Sequence, residues 1–192
     1  MRVRYGDIWE RFPTEFVVVP ANIGWRKTGA NVMGRGMAKQ AAERFPELPE
    51  WWGYYCRTMG ADTPVMLHPQ HRVIMFPTKP LDEEQPHLSW RQDSDLKLIW
   101  RSAAQLAAVV TMEGISLPMV GCGNGRLTPE LVLPILRTFL SHDRFQLVTD
   151  YQHKPVVDGI IFGQYGNWLL NEDPRPGPTG QPLQSHFARE FA

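Results

Sequence analysis

The stretch VGCGNGRLTPELVLPIL, residues 120–136, joins an apolar run to a predicted helix and places three glycines within five positions. Glycine loses more backbone freedom on folding than any other residue, so this cluster indicates that another group must come close to the main chain. The preceding residues 115–120 are typical of a buried strand, and Thr128 with Pro129 predicts an N-cap followed by the first helical residue. The stretch therefore predicts a strand, a glycine loop and a helix N-terminus in succession.

A second stretch repeats this arrangement nearer the N-terminus. Residues 15–22 are typical of a strand buried on both faces, and residues 31–45 predict a helix whose first turn holds Gly34 and Gly36. Helix N-termini present free N–H groups, and glycines let a phosphate reach the main chain. Because ligands of such folds bind beyond the carboxyl ends of the strands, we expect the two loops to lie side by side and to suit a diphosphate.

The glycine loops also have a purely structural interpretation. Taken singly, glycine clusters more often form tight turns than phosphate sites. Neither loop is followed by the Lys-Ser/Thr pair of a Walker loop, and neither completes the GxGxxG pattern. Hydrolysis of a nucleoside triphosphate is therefore disfavoured.

The rest of the chain predicts alternating strands and helices. Residues 1–7 predict an edge strand followed by a turn, residues 47–59 an irregular helix, and residues 64–79 a hairpin that turns near Gln70. Residues 89–114 predict a long helix, and residues 145–150 a further strand. The buried stripe of the long helix is expected to be Leu96, Ile99, Trp100, Ala103, Leu106, Ala107 and Val110, and the core face of the helix after Pro129 to be Leu131, Val132, Ile135, Leu136 and Phe139.

This order of elements predicts an α/β fold with three α/β/α layers and a central mixed β-sheet. Residues 1–150 are expected to form the domain. Residues 151–192 are expected to be a C-terminal extension, in which VVDGIIFG (156–163) adds a possible strand before a tail rich in proline and glycine.

Composition limits the function. Twenty Lys and Arg balance twenty Asp and Glu, so no global positive field is present to hold nucleic acid non-specifically. The two cysteines are too few for a zinc cluster, and the six histidines show no metal-ligand spacing, so we expect no metal and no cofactor. The N-terminus lacks the apolar core of a signal peptide, and no apolar run approaches a membrane span, so the cytoplasm is the expected location.

Several motifs together resemble the macrodomain family, whose fold binds ADP-ribose. The resemblance covers about residues 1–150 and is carried by GDI at 6–8, VVVPAN at 17–22, NVMGRGMAKQAAERFPE at 31–47, FPTK at 76–79 and LPMVGCGNGRL at 117–127. More narrowly, VMGRGMA, FPTK and GCGNG resemble the DarG-type DNA ADP-ribosyl glycohydrolases and the related terminal ADP-ribose protein glycohydrolases. The resemblance implies an ADP-ribosyl glycohydrolase, with an ADP-ribosyltransferase toxin as a possible counterpart.

The resemblance also implies ligand contacts. Asp7 would accept a hydrogen bond from the adenine amino group beside the backbone of Ile8, or it merely closes the turn after the first strand. Asn22 would contact the distal ribose in a catalytic role, with Asn31 as the alternative because an insertion follows Ile23. The remaining expected substrate-binding residues come from the two loops and are Met33, Gly34, Arg35, Gly36, Pro118, Gly121, Cys122, Gly123, Asn124, Gly125 and Arg126.

Lys79 is the catalytic residue that the resemblance implies, because a lysine ends the corresponding strand in both glycohydrolase relatives. An amine acts as a nucleophile if its pKa is lowered, or as an acid or electrostatic aid if it stays protonated. The sequence leaves both roles open. Without the resemblance, a lysine after a strand is more often a solvated surface charge.

The second glycine loop favours one substrate. The protein-directed relative carries an aspartate where this chain has Gly125, so the loop is closer to the DNA-directed branch, which removes ADP-ribose from thymidine. Removal of ADP-ribose from a protein, and non-catalytic binding of ADP-ribose, remain the alternatives. The segment Trp25–Lys27 either is a solvated loop or contacts a nucleic-acid backbone beside the site.

Overall fold

A computed structural model describes residues 1–109, 114–150 and 154–162, which contain one six-stranded sheet. The strands are β1 (Arg2–Tyr5), β2 (Phe16–Asn22), β3 (Met66–Leu67), β4 (Val73–Lys79), β5 (Ile115–Leu117) and β6 (Phe145–Thr149). Their order is β1-β6-β5-β2-β4-β3, in which every pair is parallel except the antiparallel hairpin pair β3 and β4. The mixed sheet, the edge position of β1 and the hairpin are confirmed.

Helices cover both faces of this sheet. The α-helices are α1 (Gly36–Arg44), α2 (Leu48–Met59), α3 (Leu96–Val109), α4 (Pro129–Phe139) and α5 (Lys154–Phe162). Val17 and Val19 of β2 pack in one core with residues of α1 and α2, whereas Val18 packs in the other with residues of α3, α4 and α5. Since successive side chains of a strand point to opposite faces, this alternation confirms the three-layer arrangement.

Short 3₁₀ helices replace two predicted features. Ile8–Arg11 forms a 3₁₀ helix between β1 and β2, where only a turn was expected. Pro86–Arg91 forms another 3₁₀ helix, so the helix predicted from residue 89 begins as an α-helix at Leu96. Asp95 explains the later start, because its carboxylate accepts a hydrogen bond from the N–H of Leu98 at 2.7 Å and thereby caps α3.

The predicted core faces of α3 and α4 are wrong at two positions. Trp100 is 37% exposed and Leu131 is 41% exposed, whereas Leu133 is fully buried. Leu131 and Leu133 lie two residues apart and hence on nearly opposite sides of a helix, so burial of the second exposes the first. Thr128 occupies the N-cap position of α4, but its side chain makes no capping hydrogen bond. Val110 lies outside the described residues.

The strand predicted at 156–163 is wrong, because α5 occupies this part of the chain. Val157 and Ile160, three residues apart, both enter the core that contains α4, and the side chain of Arg137 donates to the carbonyl of Ile160 at 3.2 Å. A spacing of three is helical, whereas a strand would send these two side chains to opposite faces. Residues 163–192, the rest of the predicted extension, lie outside the described residues. Within the described part of the chain, no helix has both the length and the apolar character to cross a membrane.

Candidate active site

The carboxyl ends of five parallel strands share one edge of the sheet. Asp7 follows β1, Asn22 ends β2, Lys79 ends β4, and the loop after β5 is the glycine loop 121–125. Four strand spacings separate β1 from β4, or about 19 Å at roughly 4.8 Å each. Residues from distant parts of the sequence therefore line one elongated edge, where ligands of α/β sheets bind.

The two glycine loops are in contact, as the sequence predicted. Gly36 has a φ of +55°, and a Cβ built on it would lie 3.0 Å from the side-chain nitrogen of Asn124. A Cβ on Gly34 or Gly123 would meet nothing within 4 Å. The loops therefore meet at Gly36 and Asn124 and leave open space over Gly34 and Gly123, where a ligand can approach the main chain.

The other two glycines of GCGNG are required for packing. A Cβ on Gly121 would lie 2.8 Å from Cδ1 of Ile99, and one on Gly125 would lie 2.1 Å from Oγ of Ser94. Gly121 also has a φ of +77°, which side-chain-bearing residues rarely adopt. The glycine cluster thus serves two purposes, since Gly121 packs against α3 and Gly125 against Ser94, while Gly123 remains open.

Main-chain amides are available at this junction. The loop closes on itself through Arg126 N–H to Gly123 C=O at 3.1 Å and Leu127 N–H to Gly121 C=O at 3.1 Å. The N–H groups of residues 123–125 donate to no other group of the described residues. The first turn of α1 carries no acidic residue, so its N–H groups face no competing carboxylate on that turn. This combination fits an anion such as a diphosphate.

Lys79 lies beside the second glycine loop. Its Nζ donates to the carbonyl of Asn124 at 2.7 Å and to the carbonyl of Trp90 at 2.9 Å. Burial lowers the pKa of Lys79, the nearby charge of Asp93 raises it, and the charges of Arg126 and Arg35 lower it further. A lysine held by two carbonyls in a cationic, half-buried setting differs from the solvated surface charge that was the alternative interpretation.

Three residues of this setting were missed by the sequence analysis. Trp90 supplies a carbonyl to Lys79, Asp93 raises the pKa of Lys79, and Ser94 packs on Gly125. All three lie in a segment that the sequence analysis included in the long helix. No local signal marks them, because their roles depend on how the segment 86–95 folds back beneath the glycine loop.

Asn22 and Asn31, the two candidates for the distal ribose, hydrogen-bond to each other. Asn22 donates to the carbonyl of Val32 at 2.9 Å and accepts from Gly24 N–H at 3.1 Å. Asn31 donates to the side-chain oxygen of Asn22 at 3.1 Å and to the carbonyl of Gly24 at 2.6 Å. Both side chains are buried. They hold the insertion after β2 in place, and their contact with a ribose stays a prediction.

Asp7 has the structural role that was the alternative to adenine binding, since it closes the turn after β1. Its carboxylate accepts from the N–H of Trp9 at 3.0 Å and caps the 3₁₀ helix, while Ile8 is buried. Asp7 is exposed, and a carboxylate has about four acceptor positions, so it can accept a further donor from a ligand. The adenine contact stays a prediction.

The remaining predicted site residues lie around the two loops. Met33 is buried beneath the first loop, and Pro118 is half-buried at the end of β5. Arg126 has a φ of +63° and pairs with Asp93 at 2.9 Å, and both side chains are largely exposed. Burial and the charge of Glu130 raise the pKa of Cys122 to about 12, which agrees with a packing role for this thiol.

Histidines form one cluster away from this edge. His68 and His71 stack with ring centroids 4.6 Å apart and planes inclined by 13°, and the ring of His71 contacts the carboxylate of Glu47. This pair was not identified from the sequence. The ligand atoms of the three residues lie within 4.8 Å of one another, but near-parallel rings direct their nitrogens along separate planes rather than toward one point. We assign the cluster to the joining of the β3–β4 turn to the start of α2.

Comparisons with known proteins agree with this fold and site. The chain is 30% identical over 146 residues to proteins named DNA ADP-ribosyl glycohydrolase from Mycobacterium bovis and Mycobacterium tuberculosis. The match covers 70% of this chain but 36% of each relative, so this chain spans about a third of their length. No protein-family model matches the chain.

Solved structures extend the comparison. The macrodomain of Mycobacterium tuberculosis DarG has a TM-score of 0.60 at 26% identity, with 77% of this chain and 97% of that chain covered. The macrodomain of Thermus aquaticus DarG has a TM-score of 0.59 at 22% identity, with 78% and 96% covered. Thermosipho africanus DarTG in complex with ADP-ribose has a TM-score of 0.61 at 19% identity, with 79% and 42% covered.

The sheet order, the paired glycine loops and these likenesses define the chain as a macrodomain. Within that class, the chain belongs to the DarG type.

Proposed function

We propose that the chain is an ADP-ribosyl glycohydrolase that removes ADP-ribose from a modified base in DNA, with thymidine as the base. The observation that carries the proposal is the position of Lys79 against Asn124, where the two glycine loops meet. The names of the two curated relatives support the activity and the DNA substrate. The solved DarTG complex with ADP-ribose supports the ligand.

In the proposed complex, ADP-ribose lies along the edge formed by the strand ends. The adenine lies near Asp7, the diphosphate over Gly34 and Gly123, and the distal ribose near Lys79. The open space above both glycines and the amides of residues 123–125 support this placement of the diphosphate. Asn22 and Asn31 would border the ribose as positioning residues.

The reaction consumes one water. The bond between the anomeric carbon and the base nitrogen breaks, water oxygen bonds to that carbon, and a proton from the water is returned to the base. We propose that Lys79 acts as an ammonium group, because two of its three donors are already held by the carbonyls of Trp90 and Asn124. The third donor then stabilises negative charge on the departing base or on an opened ribose.

The test is release of ADP-ribose from two substrates by the purified protein. We expect turnover of an ADP-ribosylated single-stranded oligonucleotide and little turnover of an ADP-ribosylated protein. We expect Lys79→Ala to reduce kcat by about 10²–10⁴-fold, the usual range for loss of a proton-transferring or charged catalytic group. Binding of free ADP-ribose, measured by calorimetry, should change little. A variant as fast as the parent would remove Lys79 from the mechanism.

A binding module without catalysis is the second candidate function. It is favoured by the hydrogen bonds that occupy the amide nitrogens of Asn22 and Asn31 and two of the donors of Lys79. Tight calorimetric binding of ADP-ribose without release from modified DNA or protein would establish this function instead.

An ADP-ribosyltransferase toxin is the proposed counterpart of the glycohydrolase, since its product is the proposed substrate. The solved structure named DarTG supports such a pairing. We expect coexpression of the parent chain, but not of Lys79→Ala, to restore growth of cells that express a DNA-directed ADP-ribosyltransferase. Equal rescue by both chains would indicate sequestration of the toxin or its product rather than hydrolysis.

A further inference from the structure

A cavity with a basic lining lies next to Lys79. It measures about 440 Å³, and its lining includes Arg26, Lys27, His87, Trp90 and Arg91. Trp90 belongs both to this cavity and to the site, because its carbonyl accepts the hydrogen bond from Nζ of Lys79. The cavity therefore adjoins the reacting end of the proposed ligand, and no carboxylate is among its lining residues.

The cations of this region are not neutralised within the protein. Arg26, Lys27, Arg35 and Arg91 are exposed, and none of them forms an ion pair within residues 1–109, 114–150 and 154–162. Cations elsewhere in the protein commonly form ion pairs, as Arg2 does with Asp143. Asp82–Glu84 lies just before the 3₁₀ helix and Asp93 just after it, so the excess of positive charge is confined to the cavity, whose lining holds cations and no carboxylate.

The backbone that carries these cations is held firmly. Residues 26–30 turn on themselves through Arg26 N–H to Ala30 C=O and Gly29 N–H to Arg26 C=O, both at 2.8 Å. Gly24 packs against the 3₁₀ helix so closely that a Cβ would lie 2.0 Å from the carbonyl of Pro86. The insertion and the 3₁₀ helix therefore form two fixed walls, and a ligand would bind without first ordering a loop.

Trp90 orders two of the arginines. The guanidinium carbons of Arg35 and Arg91 each lie 5.3 Å from the centroid of its ring. A guanidinium over an aromatic face keeps its N–H donors free at its edge, where they match the oxygens of a phosphate. Arginine donors arranged in this way are suited to an anionic chain rather than to an apolar side chain.

We propose that this basic pocket binds the phosphodiester strand on the far side of the bond that is hydrolysed beside Lys79. The pocket holds phosphates that flank the modified nucleotide, through Arg26 and Lys27 on one wall and Arg91 on the other. The inference rests on the proposed function, since it takes the modified base to be part of a nucleic acid. It assigns selection of a DNA substrate over a protein substrate to these side chains.

The test uses Arg26→Gln with Lys27→Gln in the full chain. The matched control is Arg2→Gln with Arg72→Gln, which removes the same charge at the amino ends of the parallel strands, where Arg2 begins β1 and Arg72 precedes β4. The first probe is a fluorescein-labelled oligothymidylate without ADP-ribose. We expect the pocket variant to bind it about tenfold more weakly and to lower the slope of log K against log salt by about 1.4, at roughly 0.7 per phosphate contact. The control should bind as the parent does.

Two further measurements locate the effect. Affinity for free ADP-ribose should be the same in the pocket variant as in the parent. With ADP-ribosylated oligonucleotide, KM should rise about tenfold while kcat changes little, since Arg26 and Lys27 hold the flanking strand and not the breaking bond. Loss of ADP-ribose affinity, or equal weakening in the control, would overturn the assignment. So would a rise in KM for ADP-ribosylated protein without weaker oligonucleotide binding, because it would make the pocket a protein site.

The two proposals fail in different ways. If no substrate is hydrolysed but the pocket variant loses oligonucleotide affinity, the proposed function is wrong and the basic pocket is still a binding site for the strand. If modified DNA is hydrolysed but the pocket variant binds the oligonucleotide as the parent does, the basic pocket does not bind the strand and the proposed function is still supported.

Discussion

At the scale of single residues, the charges around Lys79 determine when it is protonated. Asp93 raises the pKa of Lys79, and Arg126, which pairs with Asp93, lowers it. Because the two charges partly cancel, removal of either one exposes the effect of the other. The pair therefore offers a way to move the pKa of Lys79 in either direction without touching Lys79.

The first prediction concerns this pair. If Lys79 acts as an ammonium group, kcat falls as pH rises through its pKa. Asp93→Asn should move this alkaline decline to lower pH, and Arg126→Asn should move it to higher pH. Asparagine is chosen at 126 because it tolerates the positive φ found there. The measurement is kcat against pH for the three proteins. A rate that instead rises with pH would identify Lys79 as a nucleophile.

At the scale of elements, different glycines of the loop 121–125 serve the packing of the fold and the binding of a ligand. Gly125 lies against Ser94 and against the carbonyl of Gly121, where a Cβ would come within 2.1 Å and 2.4 Å. A Cβ on Gly123, two residues earlier, would meet nothing within 4 Å. One loop thus contains a position that the fold requires and a position that only a ligand would require.

The second prediction uses these two glycines as a matched pair. Gly125→Ala should lower the free energy of unfolding by about 1–3 kcal/mol, because Ser94 and the backbone of Gly121 must shift to admit the methyl group. Gly123→Ala should change it by less than about 0.5 kcal/mol. The same Gly123→Ala should weaken ADP-ribose binding about tenfold, since the methyl group would separate the diphosphate from the amides. Denaturant unfolding measures the effect on stability, and calorimetry measures the effect on ADP-ribose binding. If Gly123→Ala leaves the affinity for ADP-ribose unchanged, the diphosphate does not bind over Gly123.

Elements also show how far sequence reasoning extends. Both glycine loops, the hairpin and the ends of the parallel strands follow from local patterns, and so does the meeting of the loops at one edge. The hydrogen bonds between Asn22 and Asn31 do not, because they depend on the path of an insertion that no periodicity describes. The helix α5 was missed because VVDGIIFG is rich in β-branched residues, and packing against α4 outweighed that preference.

At the scale of the whole molecule, the histidine cluster makes the stability of the fold depend on pH. His68 is buried, its Nδ1 accepts from the N–H of Gln70 at 3.3 Å and of His71 at 3.2 Å, and the ring of Trp51 packs on it. Burial and the charge of His71 lower the pKa of His68, against a smaller raising effect of Glu47. Hydrogen bonds from its own backbone and from His71 lower the pKa of Glu47.

The third prediction follows from the sign of these shifts. When folding lowers the pKa of a histidine, the folded protein favours the neutral ring over the charged one. His68 therefore contributes to the free energy of unfolding above the ordinary pKa of 6.5, and this contribution is lost as pH falls below it. Glu47, whose pKa is also lowered, loses its contribution at still lower pH. The melting temperature should therefore decline as pH falls from 7 toward 5.

A matched pair of variants isolates His68. His68→Asn keeps an acceptor for the two N–H groups but cannot titrate, so it should flatten the decline of the melting temperature below pH 6.5. His142→Asn is the control, because His142 is exposed and accepts in the same way from Arg144 N–H at 3.1 Å. A control that flattens the decline as much as His68→Asn would assign the effect to histidines in general.

The two cysteines of the chain have a practical consequence. Burial raises the pKa of both Cys56 and Cys122, the latter to about 12. A thiol whose pKa is raised in this way is almost wholly protonated at neutral pH, and only the thiolate is alkylated or oxidised at an appreciable rate. A surface cysteine introduced by mutation would then be the one fast-reacting thiol, and a dye attached there would report on ligand binding without removal of the native sulfhydryls.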